Sequence, residues 1–476
     1  MIKPPKIFFT FLLICAVFLC ISVLFPSGVI PLGNQKLRWV SLNDTKNLFY
    51  REEAIIENSS SVKLDTLIVL TDTIEGTELV DTSLIHKFKG QEDLQLEYSD
   101  EFKPLLQSFY SKILTANSSG KVIRVLHFGD SQIEGDRITR YLRASFQNDF
   151  GGTGPGFIPL YDPHKHFSSV WISNTGDWKE HVVYKYPREI PNNEYGLVGK
   201  VNTIQSPGWA SIKVSTAPSA LPSAKEYYHS RMFVKNIESP LLVDAYWGNT
   251  LISSDSLKQE SDITEINWSF KQTPKRFTIK LNTSDSPLFL GMTLDSLSGI
   301  AVDNIAMRGQ STPRLDKTNK ELFRAMASHL DIGMIILQYG TNMVPTVAKN
   351  YHFYYRMLYK QLLTLKETIP NVPVVIVGVG DVAFEDEGSV SSYSHVYDIK
   401  EAQKKAAVEA GFAFFDLYEV MGGKGAIIKW ANGVPHLAMS DYTHFNKRGG
   451  EKVAEWIYKS IMSDFSQMNS QTIVNE

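Results

Sequence analysis

The chain of 476 residues contains two cysteines, and both, Cys15 and Cys20, lie in one apolar stretch near its start. Nothing after Cys20 can form a disulfide, present a catalytic thiol or hold a metal through sulfur. A chain of this length can bury enough core to do without disulfides. An excess of charge is missing too, since 48 Lys and Arg against 51 Asp and Glu leave a formal net charge of −3. That balance excludes nucleic-acid binding through bulk positive charge. The chain also lacks a phosphate loop ending in Gly-Lys-Ser/Thr and a three-glycine dinucleotide fingerprint. Its densest glycine cluster, "GGTGPGF" (151–157), carries no lysine.

Long apolar runs are absent except at the N-terminus. Lys3 and Lys6 precede an uncharged stretch from Ile7 to Phe25, about long enough to span a bilayer core. No small-x-small cleavage site follows it. Residues 1–27 are therefore expected to form a transmembrane or signal anchor with the two lysines in the cytoplasm. The remainder would lie in the extracytoplasmic cell envelope, or be secreted if the anchor is cleaved.

Residues 28–95 read as a stalk or irregular extension of scattered polar and acidic residues. The pattern "YSDEFKPLLQSFYSKIL" (98–114) predicts a helix capped by Ser99 or Asp100. Five near-continuous apolar runs follow, at 122–128, 299–307, 332–339, 372–379 and 412–418. Helical patterns lie at 351–369 and 396–411, and a last one at 447–462. Such runs alternating with helices predict a three-layer α/β domain around a five-stranded parallel sheet. Between the first two runs, residues 151–297 change character. Short alternating segments such as "ASIKVST" and "LLVDAYW" are separated by Pro, Gly, Asn and Ser. This predicts an antiparallel β-sandwich inserted into a loop of the α/β domain. The host domain is then split over 96–150 and 298–464, with a polar tail at 465–476.

The first strand raises the question of chemistry. In "VIRVLHFGDSQIEGDRITRYL" (122–142) the β-branched run stops at Gly129-Asp130-Ser131, and an amphipathic helical pattern follows. Ser131 there is either a helix N-cap or a nucleophile. A serine nucleophile needs a base, an orienting partner for that base, and donors for the oxyanion. In an open α/β sheet these come from the carboxyl ends of the strands. After the fifth strand stands "SDYTHFNKRGG", with Asp441 and His444 three residues apart. After the third stands "QYGTNM", where Asn342 offers a side-chain N–H. After the second stands "MRGQS", where Gly309 offers a backbone N–H and favours a positive φ. The N–H of Ser131 is a further donor if a helix starts there. Taken singly, each is an ordinary turn or cap residue. Together they occupy one edge of one predicted sheet, and catalysis accounts for all of them.

The blocks "FGDSQ", "RGQS", "YGTN" and "DYTH" resemble those of the SGNH or GDSL-type hydrolases over roughly 120–150 and 299–462. Gln132 stands where that family often has leucine, and Met343 where many members have aspartate. The stretches "HFGDSQIEGDRITRYLRASFQNDFGGTGPGF" and "MGGKGAIIKWANGVPHLAMSDYTHF" are similar to those of bacterial peptidoglycan O-acetylesterases, which carry an inserted carbohydrate-binding-like sandwich. The resemblance implies a Ser131–His444–Asp441 triad, an oxyanion hole of Ser131, Gly309 and Asn342, and no metal or organic cofactor. It implies deacetylation of a cell-envelope glycan, peptidoglycan at muramic acid O6 first. A glycan O-acetyltransferase or another polysaccharide acetylesterase would use the same triad, and a non-catalytic glycan-binding protein would not need it. The implied partners are that glycan and, through residues 1–27, the membrane. No residue pattern specifies an oligomeric state.

Other residues take plainer readings. His164 and His166 lack an evident third metal ligand and read as surface residues. Five of the eight tryptophans lie in the insertion: Trp171, Trp178, Trp209, Trp247 and Trp268. Most are expected to fill the sandwich core, with one or two left to stack on sugar. Asp130 is expected to brace the loop it sits in.

Overall fold

A computed structural model of the protein describes residues 29–32, 35–38, 94–164, 168–259 and 262–465. It divides into two units, Met1–Glu75 and Gly76–Glu476. Of the first unit only a hairpin is described, β1 (Val29–Leu32) antiparallel to β2 (Gln35–Arg38). The expected anchor at 1–27 and most of the expected stalk lie outside the described residues. Among the described residues, no helix is long and apolar enough to cross a membrane.

The second unit opens with α1 (Phe102–Thr115), which buries Phe102, Leu106, Phe109, Tyr110 and Ile113 along one stripe. Neither Ser99 nor Asp100 caps it through a side chain. The capping position is Glu101, without a side-chain bond, and Ser99 instead accepts from the Phe102 N–H through its carbonyl at 3.0 Å. Next comes β3 (Val122–Gly129), buried from its second residue on. The following helix, α2 (Thr139–Phe150), starts well after Ser131. A turn and a 3-10 segment, Glu134–Asp136, intervene, with Gly135 and Asp136 both at positive φ. Arg143 and Ser169 hold the Asp136 carboxylate in the interior. Ser131 therefore caps no helix, and the N-cap of α2 is Ile138. Helix-dipole stabilisation at Ser131 falls with it, because that effect fades within one turn of the helix end.

Among its described residues the insertion contains eleven strands: β4 (Gly156–Ile158), β5 (Val170–Thr175), β6 (Trp178–Val182), β7 (Lys200–Ile204), β8 (Gly208–Thr216), β9 (His229–Lys235), β10 (Leu241–Trp247), β11 (Thr250–Leu257), β12 (Thr264–Ser269), β13 (Phe277–Thr283) and β14 (Leu288–Asp295). They form two antiparallel sheets, ordered β11-β10-β13-β8-β5 and β12-β9-β14-β7-β6, with β4 added on β14. In β8, Ala210, Ile212 and Val214 point into the sandwich while Trp209 and Lys213 point to solvent. β14 is buried throughout, because Phe289 and Met292 pack in the sandwich core while Leu288 and Leu290 pack in the α/β core.

The glycine cluster marks the junction. Gly152 has φ +101°, and a Cβ there would come within 2.5 Å of the Ile300 backbone. The incoming and outgoing chains thus touch backbone to backbone, and the Ile300 N–H donates to the Gly151 carbonyl at 3.0 Å. A buried ion cluster spans the same junction. Arg124 of β3 reaches Asp303 at 2.7 Å and Asp295 at 2.5 Å, and Asp303 also accepts from the Phe157 N–H at 2.8 Å.

The chain then completes the α/β domain with β15 (Gly299–Ala306), α3 (Lys320–His329), β16 (Ile332–Gln338), α4 (His352–Thr368), β17 (Val374–Val377), a small hairpin of β18 (Ala383–Asp386) and β19 (Ser389–Ser392), α5 (Val396–Glu409), β20 (Ala413–Phe415), α6 (Leu417–Met421), α7 (Ala426–Asn432) and α8 (Lys447–Met462). The parallel sheet runs β15-β3-β16-β17-β20. Its first strand in sequence, β3, therefore lies between its second and third. Consecutive connections leave β3 and β15 in opposite directions along the sheet, and the crevice at that switch point is where such sheets bind ligands. Phe465, expected to begin a polar tail, is buried against Tyr110 and Phe150, and the residues after it lie outside the described ones.

Candidate active site

The sheet order puts three loops side by side. β3 ends at Gly129, whose carbonyl accepts from the Met307 N–H at 2.8 Å, and the Asp130 N–H donates to the Gln338 carbonyl at 3.2 Å. The Ser131 turn thus leaves the sheet between the loop after β15, which carries Gly309, and the loop after β16, which carries Asn342. Gly309 adopts φ +75°, the conformation its residue type was expected to serve. Asn342 lies on a 3-10 turn, Thr341–Met343, and its amide donates to the Gln310 carbonyl at 3.1 Å. That bond joins the two loops expected to supply the oxyanion donors. It uses one of the two N–H groups that the amide carries.

The expected base, His444, arrives from near the far end of the chain. Ser131 Oγ lies 2.8 Å from His444 Nε2, and His444 Nδ1 lies 2.7 Å from Asp441 Oδ2. An ionised carboxylate only accepts, so Nδ1 carries the proton and Nε2 is free to accept from the serine hydroxyl. The other carboxylate oxygen, Asp441 Oδ1, accepts from the backbone N–H groups of Thr443 and His444, both at 3.0 Å. Burial pushes the Asp441 carboxyl up, but these backbone bonds and the imidazole outweigh it and hold it below the ordinary aspartate value. The turn closes with the Met439 N–H donating to the His444 carbonyl at 2.8 Å. Asn446 then caps α8 by accepting from the Gly449 N–H. His444 is 27% exposed and Asp441 46%, so the relay faces solvent.

Asp130 braces the turn, as expected. It is fully buried and accepts from the Gln132 N–H at 2.9 Å through Oδ1. Burial pushes its carboxyl up to about 6, against the hydrogen bond from Gln132 and the nearby His444.

Three further side chains of the site have no role assigned from the sequence. Gln132 bonds to the backbone on both sides of His444. Arg137 donates to the Ser131 carbonyl at 3.1 Å. Arg308 grips Glu134 through two nitrogens at 2.9 and 2.7 Å, tying the Gly309 loop to the Ser131 turn. None belongs to a periodic pattern, and only their position inside the quoted blocks could have singled them out.

The remaining expected residues divide. His164 is exposed and His166 lies outside the described residues. Among the described residues, no group of three His, Cys, Asp or Glu side chains is placed to hold a metal ion. Trp178 and Trp268 are buried in the sandwich, while Trp171 and Trp209 are 61% and 58% exposed. Trp247 is half-buried.

No family model and no curated protein matches the chain. Among solved structures, a peptidoglycan O-acetylesterase shares 17% sequence identity, covers 76% of this chain and 96% of its own, and superposes with a TM-score of 0.59. A family two carbohydrate esterase from Clostridium thermocellum, solved with cellohexaose, shares 9% identity over 61% of this chain and 100% of its own, at a TM-score of 0.25. A GDSL-like lipase from Bacteroides ovatus shares 12% identity over 63% and 99%, at a TM-score of 0.24. The last two overlaps are too low to argue from. With the first, and with the four blocks meeting at one sheet edge, the fold is that of the SGNH/GDSL-type hydrolases.

Proposed function

We propose that the protein is a serine esterase that removes O-acetyl groups from a cell-envelope glycan, with peptidoglycan acetylated at muramic acid O6 as its substrate. The observation that carries this reading is the continuous Ser131–His444–Asp441 relay at the switch point of the sheet. Ser131 Oγ attacks the acetyl carbonyl and passes its proton to His444 Nε2. Asp441 holds the imidazole in the required tautomer and stabilises its charged form. The N–H groups of Ser131 and Gly309 and the Asn342 amide receive the oxyanion. The C–O bond to the sugar breaks, and His444 protonates the departing sugar hydroxyl. Water, deprotonated by His444, then attacks acetyl-Ser131 and releases acetate. The exposure of His444 and Asp441 favours water over a sugar hydroxyl as the final acceptor, and so hydrolysis over acetyl transfer.

Two features support a glycan as the substrate. One is the likeness to a peptidoglycan O-acetylesterase over most of both chains. The other is the outer face of the β5/β8 sheet, where a groove of about 400 Å³ is lined by Trp209, Tyr246, Asp244, Lys280, Ser211 and Thr175. An exposed indole flanked by hydroxyl and charged groups suits the alternating apolar and polar faces of a sugar ring. An extracytoplasmic location belongs to the same reading.

The test is acetate release from O-acetylated peptidoglycan and from acetylated xylan, with Ser131→Ala as control. Release from peptidoglycan that Ser131→Ala abolishes is the expected result. Release from xylan alone would sink the peptidoglycan assignment, and release from neither would sink the esterase.

A further inference from the structure

The residue after the nucleophile holds the loop that carries the base. Gln132 Nε2 donates to the Thr443 carbonyl at 2.5 Å, and Gln132 Oε1 accepts from the Phe445 N–H at 3.3 Å. The Thr443 carbonyl belongs to the peptide group before His444, and the Phe445 N–H to the one after it. One flat side-chain amide therefore fixes both peptide planes that flank the His444 Cα. Gln132 is 5% exposed, so water competes little for these bonds. Its own backbone is held in turn, its N–H by Asp130 Oδ1 at 2.9 Å and the adjoining Ser131 carbonyl by Arg137 at 3.1 Å.

We propose that Gln132 is a positioning residue that sets the Ser131–His444 distance, by clamping the backbone on either side of the base to the turn that carries the nucleophile. The proposal rests on the esterase reading above. The stretch that presents His444 is the turn 439–446, the last part of the connection from α7 to α8. The Met439–His444 backbone bond and the Asp441 carboxylate shape the turn internally, and the Ala383 N–H, donating to the Tyr442 carbonyl at 3.0 Å, ties it to β18. The Gln132 bonds register it against Ser131. A leucine, common at this position in SGNH hydrolases, can neither donate nor accept, so a chain with leucine must set that distance by packing.

Three forms of the full chain test this on a small acetyl ester: wild type, Gln132→Met and Gln132→Glu. Methionine keeps the length and removes both bonds. Glutamate keeps the acceptor for the Phe445 N–H but can donate to the Thr443 carbonyl only when protonated. Gln132→Met is expected to lose about 10- to 100-fold in kcat, the scale of a misplaced catalytic pair, with KM within about twofold and unfolding temperature close to wild type. Gln132→Glu is expected to approach the wild-type rate as pH falls, read as a ratio of the two at each pH, whereas the Gln132→Met ratio stays flat. A merely stabilising glutamine would lower the folded fraction and would leave kcat per folded molecule, counted by fluorophosphonate titration of Ser131, unchanged. Wild-type kcat in Gln132→Met, or a loss wholly explained by unfolding, overturns the proposal while the esterase stands. A wild type that neither hydrolyses the ester nor takes the label overturns both.

Discussion

Ser131 and His444 lie 313 positions apart in the chain, yet their Oγ and Nε2 atoms meet at 2.8 Å. The insertion and four of the five parallel strands of the α/β sheet intervene between them. What closes that distance is the sheet order. β3 lies between β15 and β16, the chain runs outward to β20, and α6 and α7 carry it back to the turn at 439–446. The serine and the histidine are neighbours because the sheet, not the local sequence, makes them so.

Removing the Asn342 amide should separate chemistry from binding. Asn342→Ala is expected to lower kcat about 10²–10³-fold, as for other oxyanion donors. KM for a small acetyl ester should change little, because the bond to the oxyanion forms only in the transition state. Steady-state kinetics on that ester read both.

Asp130 predicts a pH-dependent stability. Its folded-state carboxyl is raised from 3.8 to about 6 by burial, so between those values the folded protein keeps a proton that the unfolded chain has released. Stability therefore falls as pH rises through that window, by on the order of 3 kcal/mol for this group. Asparagine can still accept from the Gln132 N–H and has no charge to bury. The unfolding temperature of Asp130→Asn, relative to wild type, is expected to rise as pH goes from about 4 to about 7.

The ion cluster at the junction should be costly to break. Arg124→Met leaves Asp295 and Asp303 buried without their cation. A loss of about 3–5 kcal/mol is expected, measurable as a lower midpoint in urea. Replacing an exposed partner such as Lys320, paired with Glu367 at the surface, should change stability by less than about 1 kcal/mol.

The outer sheet face should bind polymer without affecting the chemistry. Trp209→Ala is expected to weaken binding to insoluble peptidoglycan about tenfold, the equivalent of ~1.4 kcal/mol. Turnover of a small soluble ester should stay at the wild-type value. Trp268→Ala, in the sandwich core, should instead lower stability by about 3–5 kcal/mol.

The parallel strands were legible because strands buried on both faces carry near-continuous apolar runs, as "VIRVLHF" and "IGMIILQY" do. The candidate triad was legible in two ways: Ser131 directly follows such a run, whereas α6 and α7 separate β20 from Asp441 and His444, which stood out through the "DYTH" block. The start of α2 was not. Ile138, Leu142 and Phe146 stand at helical spacing and "QIEGDRI" runs straight into them, but Gly135 and Asp136 take positive φ, and the bonds from Arg143 and Ser169 that hold Asp136 lie outside any local pattern. Strand β11 was hard to read for a different reason. "TLISSDSL" is exposed over most of its length and offers no buried face to read. The tryptophans were separable only with the register in hand, since composition does not say which face of β5 or β8 meets solvent. Gln132 was visible as a departure from leucine, but its partners are set by the sheet order.

The most direct measurement of the central claim is the site of fluorophosphonate labelling. The folded wild-type protein, digested after treatment, should carry the adduct on Ser131, and folded His444→Ala should react far more slowly. A label on another residue, or equal labelling of the two proteins, would contradict Ser131 as a nucleophile activated by His444.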